Sequence, residues 1–343
     1  MPVTVVVGGQ FGSEGKGKVA LWFGREQGAA AAIRIGGSNS GHTAYDEAGN
    51  RHIFRHLPTA ALLPDVKCIL GAGSYIDTDV LLEEINRIQL PKSRLLIDPA
   101  AVIVTEADKD FEREHGFRSA VGSTLSGTGA ALLRRIQRDR TIRFASDCEP
   151  LKQYVAPTRS ALRTMLSNGQ RIVLEGTQGF GLSILHGGHY PFATSRDTSA
   201  SGFLSEAGLS PRDVDEVVLV IRTFPIRVPG NSGPLPYEID WPTVTRECGA
   251  QTPIEEFTSV TKTSRRVARF DAEVVKQAIE ANQPTSIVLN HLDYVDRDVS
   301  ERKELSPKAL RFLRSVENSI AARIEFYGQS LTALQATPPE KTA

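Results

Sequence analysis

Glycine, lysine and hydroxyl side chains crowd into one stretch near the N-terminus, Gly8-Gly9-Gln10-Phe11-Gly12-Ser13-Glu14-Gly15-Lys16-Gly17-Lys18. Closely spaced glycines let backbone N–H groups converge on an oxyanion, and two lysines add full positive charge, so phosphate binding is the chemistry expected here. The spacing departs from a Walker A motif. Five residues instead of four separate Gly9 from Gly15, and Gly17 follows Lys16 where Ser or Thr normally reaches magnesium. A second loop, Gly36-Gly37-Ser38-Asn39-Ser40-Gly41-His42-Thr43, lodges a histidine among small polar residues, a setting for ligand contact rather than core packing. His52 and His56 alternate with Ile53 and Phe54 and read as structural. A small-residue loop at 121–129 precedes a helix whose Arg134, Arg135, Arg138 and Arg140 read first as a solvated face. Glu175-Gly176-Thr177-Gln178-Gly179 closes an apolar run, and 258–269 carries basic charge amid hydroxyls, as an anion-binding loop would.

Each loop needs a strand to aim it. The β-branched run 3–7 suits a fully buried strand, and the glycine turn after it leads into a helix expected at 19–28. Further strands are expected at 30–35, 66–70, 94–97, 171–174, 215–224 and 286–289, with helices at 77–88, 107–115, 130–140, 270–279 and from 305 to about 326. This alternation predicts an α/β fold with a mostly parallel central sheet flanked by helices, long inserted loops, and ligands at the carboxyl ends of the strands. The stretch 186–201 is too patterned for a linker, 225–253 reads as a Pro- and Gly-rich excursion over the surface, and 337–343 as a frayed tail of a single domain spanning 1–343.

Composition narrows the partners. Forty basic and forty acidic residues cancel, so neither nucleic acid nor an anionic membrane is expected to bind through net charge. Cys68, Cys148 and Cys248 are odd in number and widely separated, which fits core thiols in a reducing compartment better than a disulfide framework or a zinc site. No apolar stretch approaches membrane-spanning length, and a soluble, cytoplasmic protein is expected.

Five ordered stretches between residues 3 and 293 resemble the adenylosuccinate synthetases: Gly-Gln-Phe-Gly-Ser-Glu-Gly-Lys-Gly-Lys, Gly-Gly-Ser-Asn-Ser-Gly-His-Thr, Glu-Gly-Thr-Gln-Gly, Tyr-Pro-Phe-Ala-Thr-Ser, and Arg265-Arg266 before Phe270-Asp271. The resemblance implies that aspartate is joined to C6 of a purine monophosphate after a triphosphate has phosphorylated O6, with Mg2+ required. Carried over residue by residue, it implies that Gly12, Ser13, Glu14, Gly15, Lys16, Gly17 and Lys18, with Gly41, His42 and Thr43, surround the phosphates. Ser13, Lys16 and His42 would be catalytic, and Ser13 and the Gly41 carbonyl would hold magnesium. Asn39, Thr124, Gln178 and Thr194 match positions around the monophosphate. Arg138 matches an arginine contributed by a neighbouring subunit, which implies a homodimer. Val260, Thr261, Thr263 and Arg265 match the aspartate loop, where Arg265 would clamp a carboxylate. Asn290, His291 and Asp293 match the segment that reads the triphosphate base. His291 replaces the usual lysine, so GTP, ATP and dATP all stay open.

Two departures bear on the substrate. The family has an aspartate where this chain has Ser13, and that aspartate removes the purine N1 proton. A guanine 2-amino group would press on a carboxylate held beside N1, whereas a serine leaves room. Thr263 stands where the family places an arginine that reaches the ribose 2′-hydroxyl, a group absent from a deoxyribonucleotide. The serine resembles the phage branch of the family, the 2-aminoadenylosuccinate synthetases, and Thr263 points the same way, implying dGMP as acceptor with 2-amino-2′-deoxyadenylosuccinate 5′-monophosphate as product. The alternatives are an ordinary synthetase acting on IMP and a catalytically silent nucleotide-binding protein.

Overall fold

The computed structural model describes residues 2–258, 262–301, 304–328 and 331–339. Its centre is a nine-stranded sheet formed by β1 (Val3–Gly8), β2 (Ala31–Arg34), β3 (Lys67–Leu70), β4 (Leu95–Ile97), β5 (Ile172–Glu175), β6 (Val214–Arg222), β7 (Ser286–Asn290), β8 (Phe326–Gly328) and β9 (Gln335–Ala336). The order across the sheet is β9-β8-β7-β6-β1-β5-β2-β3-β4, and every pairing is parallel except β8 with β9. Strand β1 runs between β5 and β6, and all of its residues are buried, as its unbroken apolar run requires. Val3, Val5 and Val7 join the core on one face with Ile33, Leu174 and Leu219, whereas Val6 packs on the other with Val19, Phe23 and Val173. Each such buried valine stabilises the sheet by about 1.5–3 kcal/mol relative to an exposed one.

The expected strands are all present, with ends shifted by a residue or two, and the mostly parallel sheet stands as expected. The C-terminal helix is shorter than its sequence suggests. It spans Pro307–Ile320 and stops where Ala321 turns left-handed at φ 52°, so Phe326 belongs to β8 and not to the helix. The Pro- and Gly-rich stretch also holds more structure than a surface excursion: strands Ile226–Arg227 and Glu238–Ile239 flank Arg266–Ala268 in a small antiparallel sheet, and a helix, Trp241–Cys248, starts from an Asp240 cap. Helices Thr158–Ser167 and Ala200–Ala207 were not anticipated either. Of the expected frayed tail, Thr337 is tied to the sheet by an N–H donated to the Glu325 carbonyl at 2.9 Å, and 340–343 lie outside the described residues. Cys68 and Cys248 are buried thiols and Cys148 is half-buried. Among the described residues, no helix is long and apolar enough to cross a membrane.

Candidate active site

The carboxyl ends of β1, β2, β5, β6 and β7 open onto one cleft of about 1600 Å³. At its floor the turn after β1 winds through Gly12, Ser13 and Gly15, with φ of 89°, 59° and 90°, before helix α1 (Lys16–Glu26) begins. Gly15 has no alternative, since a Cβ there would sit 2.7 Å from Asn290 Nδ2. For Ser13 the left-handed conformation costs about 1–2 kcal/mol, and neighbours hold it. The fully buried Arg222 donates from Nη1 to the Ser13 carbonyl at 2.8 Å, and Asn290 Nδ2 donates to the Glu14 carbonyl at 2.8 Å. Glu14 departs from the expected phosphate contacts. Its carboxylate is wholly buried behind the turn, accepting N–H groups of Gly12 at 2.7 Å and Gln10 at 3.1 Å and the Lys16 ammonium at 2.6 Å. A carboxylate would repel a phosphate from the cleft side; placed behind, it stiffens the loop that faces one.

His42 begins a hairpin, His42–Tyr45 with Arg51–Phe54, directly after the second glycine loop. Its Nδ1 lies against Glu175 Oε1 in a short contact, and the same carboxylate accepts from Arg34 Nη1 at 3.2 Å, from the Thr59 N–H at 2.7 Å and from the Thr59 hydroxyl at 2.8 Å. Arg34 and Glu175 end β2 and β5 and are partners in register. Burial, reinforced by the Arg34 and Lys16 charges, pulls His42 down to about 4 against the pull of Glu175. Because Glu175 is an ionised acceptor, the ring proton is assigned to Nδ1, leaving a lone pair on Nε2. Donation from Nε2 to an oxyanion therefore requires the imidazolium.

Asn39, Gly41, Thr43, Thr124, Gln178 and Thr194 all line this cleft, as do Ser13, Lys16, Gly17 and Lys18. The Thr124 loop is braced like the glycine turn, by Glu112, which accepts N–H groups of Gly127 at 3.1 Å and Gly129 at 2.9 Å. Thr263, Arg265, Asn290, His291 and Asp293 face the cleft as well, with Val260 and Thr261 outside the described residues. Burial lowers Lys18 to about 8, Asp293 opposing it. Arg138 is not brought in. It sits exposed at the left-handed end of helix Thr128–Gln137 and does not line the cleft of its own chain. Sequence reasoning gave no role to Arg34, Glu175, Arg222, Arg227 or Glu256, Glu175 entering only as the first residue of a glycine-rich motif. The first three share a signal that was available, a charged residue directly closing an apolar run: Arg34 after 31–33, Glu175 after 172–174 and Arg222 after 217–221. Arg222 and Glu256 pair at 2.5 Å, and although burial opposes it, this guanidinium and His291 hold the Glu256 carboxyl down near about 2.

A lysine-bearing glycine turn, a carboxylate-held histidine and an arginine loop at the carboxyl edge of a parallel sheet form the kind of arrangement that nucleotide-handling α/β enzymes use. The family model for adenylosuccinate synthetase matches residues 5–148 and 143–299, and the chain belongs to that family of ligases, which form a C–N bond. The adenylosuccinate synthetase of Methanocaldococcus jannaschii is 36% identical over 322 residues, covering 92% of this chain and 90% of the relative. That of Archaeoglobus fulgidus is 33% identical over 328 residues, covering 93% of each. Among solved structures, the succinoaminodeoxyadenylate synthetase PurZ of cyanophage S-2L, bound to dGMP and to dATP as an energy donor, superposes with a TM-score of 0.82 at 31% identity, over 98% of this chain and 96% of that one. The Plasmodium falciparum adenylosuccinate synthetase superposes at 0.85 with 19% identity, over 98% and 100%, a likeness of fold.

Proposed function

We propose that this enzyme joins L-aspartate to C6 of dGMP at the expense of a triphosphate, ATP, dATP or GTP, giving 2-amino-2′-deoxyadenylosuccinate 5′-monophosphate, a step toward diaminopurine deoxynucleotides. The observation that carries the reading is Ser13, held left-handed in the glycine turn and lining the cleft where the family's base-proximal aspartate would stand. Likeness to a phage synthetase solved with dGMP and dATP supports it. N1 of guanine gives its proton to solvent as O6 attacks the γ-phosphorus and the nucleoside diphosphate leaves; the aspartate amine then attacks C6, losing a proton to solvent, and phosphate departs. Lys16 and the backbone of 12–18 stabilise the phosphoryl oxygens, His42 as imidazolium donates to O6, and Arg265 grips an aspartate carboxylate. Ser13 and Gly41 both line the cleft and offer hard oxygen donors, a hydroxyl and a carbonyl, which fit Mg2+; they would hold an ion that offsets the charge of the triphosphate. Arg138, outside its own cleft, would complete the site of a second copy in a homodimer, and the enzyme would work in the cytoplasm, that of a host cell if it is phage-encoded.

The second reading, an ordinary synthetase using IMP, is favoured by the archaeal relatives at 33–36% identity, which carry that name. Pure protein incubated with aspartate, Mg2+, a triphosphate and either dGMP or IMP separates the two. Turnover of dGMP is expected to dominate; consumption of IMP but not dGMP rejects the reading, and no phosphate release with either makes the chain a silent binder.

A further inference from the structure

Among the described residues four arginines are buried, and three of them hold a carboxylate: Arg34 with Glu175 at 3.2 Å, Arg196 with Glu206 at 2.5 Å, and Arg222 with Glu256 at 2.5 Å. Arg227 is the exception. It is only 3% exposed, yet it lines the cleft, and among the described residues no carboxylate pairs with it. Nη1 donates to the Pro234 carbonyl at 2.9 Å and Nη2 to the Phe192 carbonyl at 2.9 Å, while the guanidinium lies 4.7 Å from the centre of the Phe11 ring. These contacts fix the plane of the fork and leave part of its five-donor set unspent, but carbonyls and a ring carry no net charge. Its partner in register, Arg266, is another cation, already clamped by both oxygens of Glu238 at 2.8 and 2.6 Å. The backbone is shaped for this side chain, since a Cβ on Gly233 would approach Arg227 Nη2 to 3.0 Å and Phe192 Cβ to 2.5 Å.

A buried guanidinium stays charged, and leaving it uncompensated is costly, so a fold keeps one beside a cleft when an anion arrives there. We propose that Arg227 binds the 5′-phosphate monoester of the acceptor nucleotide. Two anchorings favour the monophosphate over the other substrate anions. Arg227 is tied to Phe192, two residues before Thr194, a cleft residue that the proposed function sets at the monophosphate, whereas Lys16 and Lys18 stand at the glycine turn and Arg265 is tied through its N–H to the Glu256 carbonyl at 2.9 Å. The inference rests on the reading that a nucleoside monophosphate is the acceptor, but not on which purine it carries.

Calorimetric titration of the full chain and its Arg227→Gln and Arg227→Lys variants with dGMP, deoxyguanosine, IMP and inosine tests it, alongside the aspartate and triphosphate KM values. Arg227→Gln is expected to weaken the nucleotide that wild type binds by about tenfold or more, to leave the matching nucleoside within about twofold, and to be partly rescued by lysine. Equal losses for nucleotide and nucleoside, or a loss confined to the aspartate or triphosphate KM, overturn the proposal. Should Arg227→Gln not fold, the lysine variant decides by the same nucleotide-against-nucleoside comparison. Preference for IMP over dGMP in wild type would sink the dGMP reading alone, and binding of neither would sink both.

Discussion

Neutral His42, its Nδ1 proton committed to Glu175, turns a lone pair toward the cleft, and burial holds it at about 4. In the proposed reaction a phosphoryl group moving onto O6 would bring the negative charge that draws a proton from solvent onto Nε2, so the ring would act at the moment when charge develops. His42→Ala is therefore expected to lower kcat by about 10²- to 10⁴-fold while dGMP binding, read by titration, changes little. Near-normal turnover would remove His42 from the chemistry. At Ser13 the issue is space: Ser13→Asp should impair dGMP use more than IMP use in paired kcat/KM measurements, and equal impairment would contradict crowding at the 2-amino group.

The loops that face the cleft are stiffened by buried acids, Glu14 behind the glycine turn and Glu112, itself on the cleft wall, beside the 121–129 loop. Such a brace aligns backbone N–H groups before any phosphate arrives. Removing the Glu14 charge strands the Lys16 ammonium, which is 2% exposed, so Glu14→Gln should lower stability by about 3–5 kcal/mol in a denaturant melt. A loss under 1 kcal/mol would mean the turn holds its shape without the pair. This brace was hidden in the sequence, where Glu14 reads as one more member of a phosphate-binding run. Glycine spacing shows that a turn is tight, but which side each side chain leaves from depends on φ at Gly12, Ser13 and Gly15.

Across the whole molecule, three histidines, His42 and His56 buried and His291 half-buried at the cleft, couple folding to pH. His42 is lowered to about 4, and His56 and His291 to about 3, each first by burial, against an ordinary 6.5. Below 6.5 the unfolded chain takes up protons that the folded one refuses. Stability is thus full above 6.5 and falls as pH drops toward 4, by up to ~1.4 kcal/mol per pH unit for each group. Melts at pH 7 and pH 5 check this, a flat profile counting against it. The proposed dimer has its own test. An equal mixture of Arg138→Ala and His42→Ala chains, each nearly inactive, should regain about a quarter of wild-type activity after subunit exchange, since one site of each mixed dimer is intact. No recovery would place Arg138 outside the partner's site.

By itself the sequence determined the strands, the glycine turns at their carboxyl ends and most cleft residues, because those signals are local: apolar runs that must be buried, and small residues where the backbone must bend. Only the tertiary structure decided which charges meet. Arg34, His42 and Glu175 converge because β2 and β5 pair in register, and 133 residues separate His42 from the carboxylate that sets its proton. The lone charge of Arg227 was equally invisible, since a missing partner shows only when every neighbour has been placed. Pairing energies depend on distance and burial, and strand order, not spacing along the chain, fixes both.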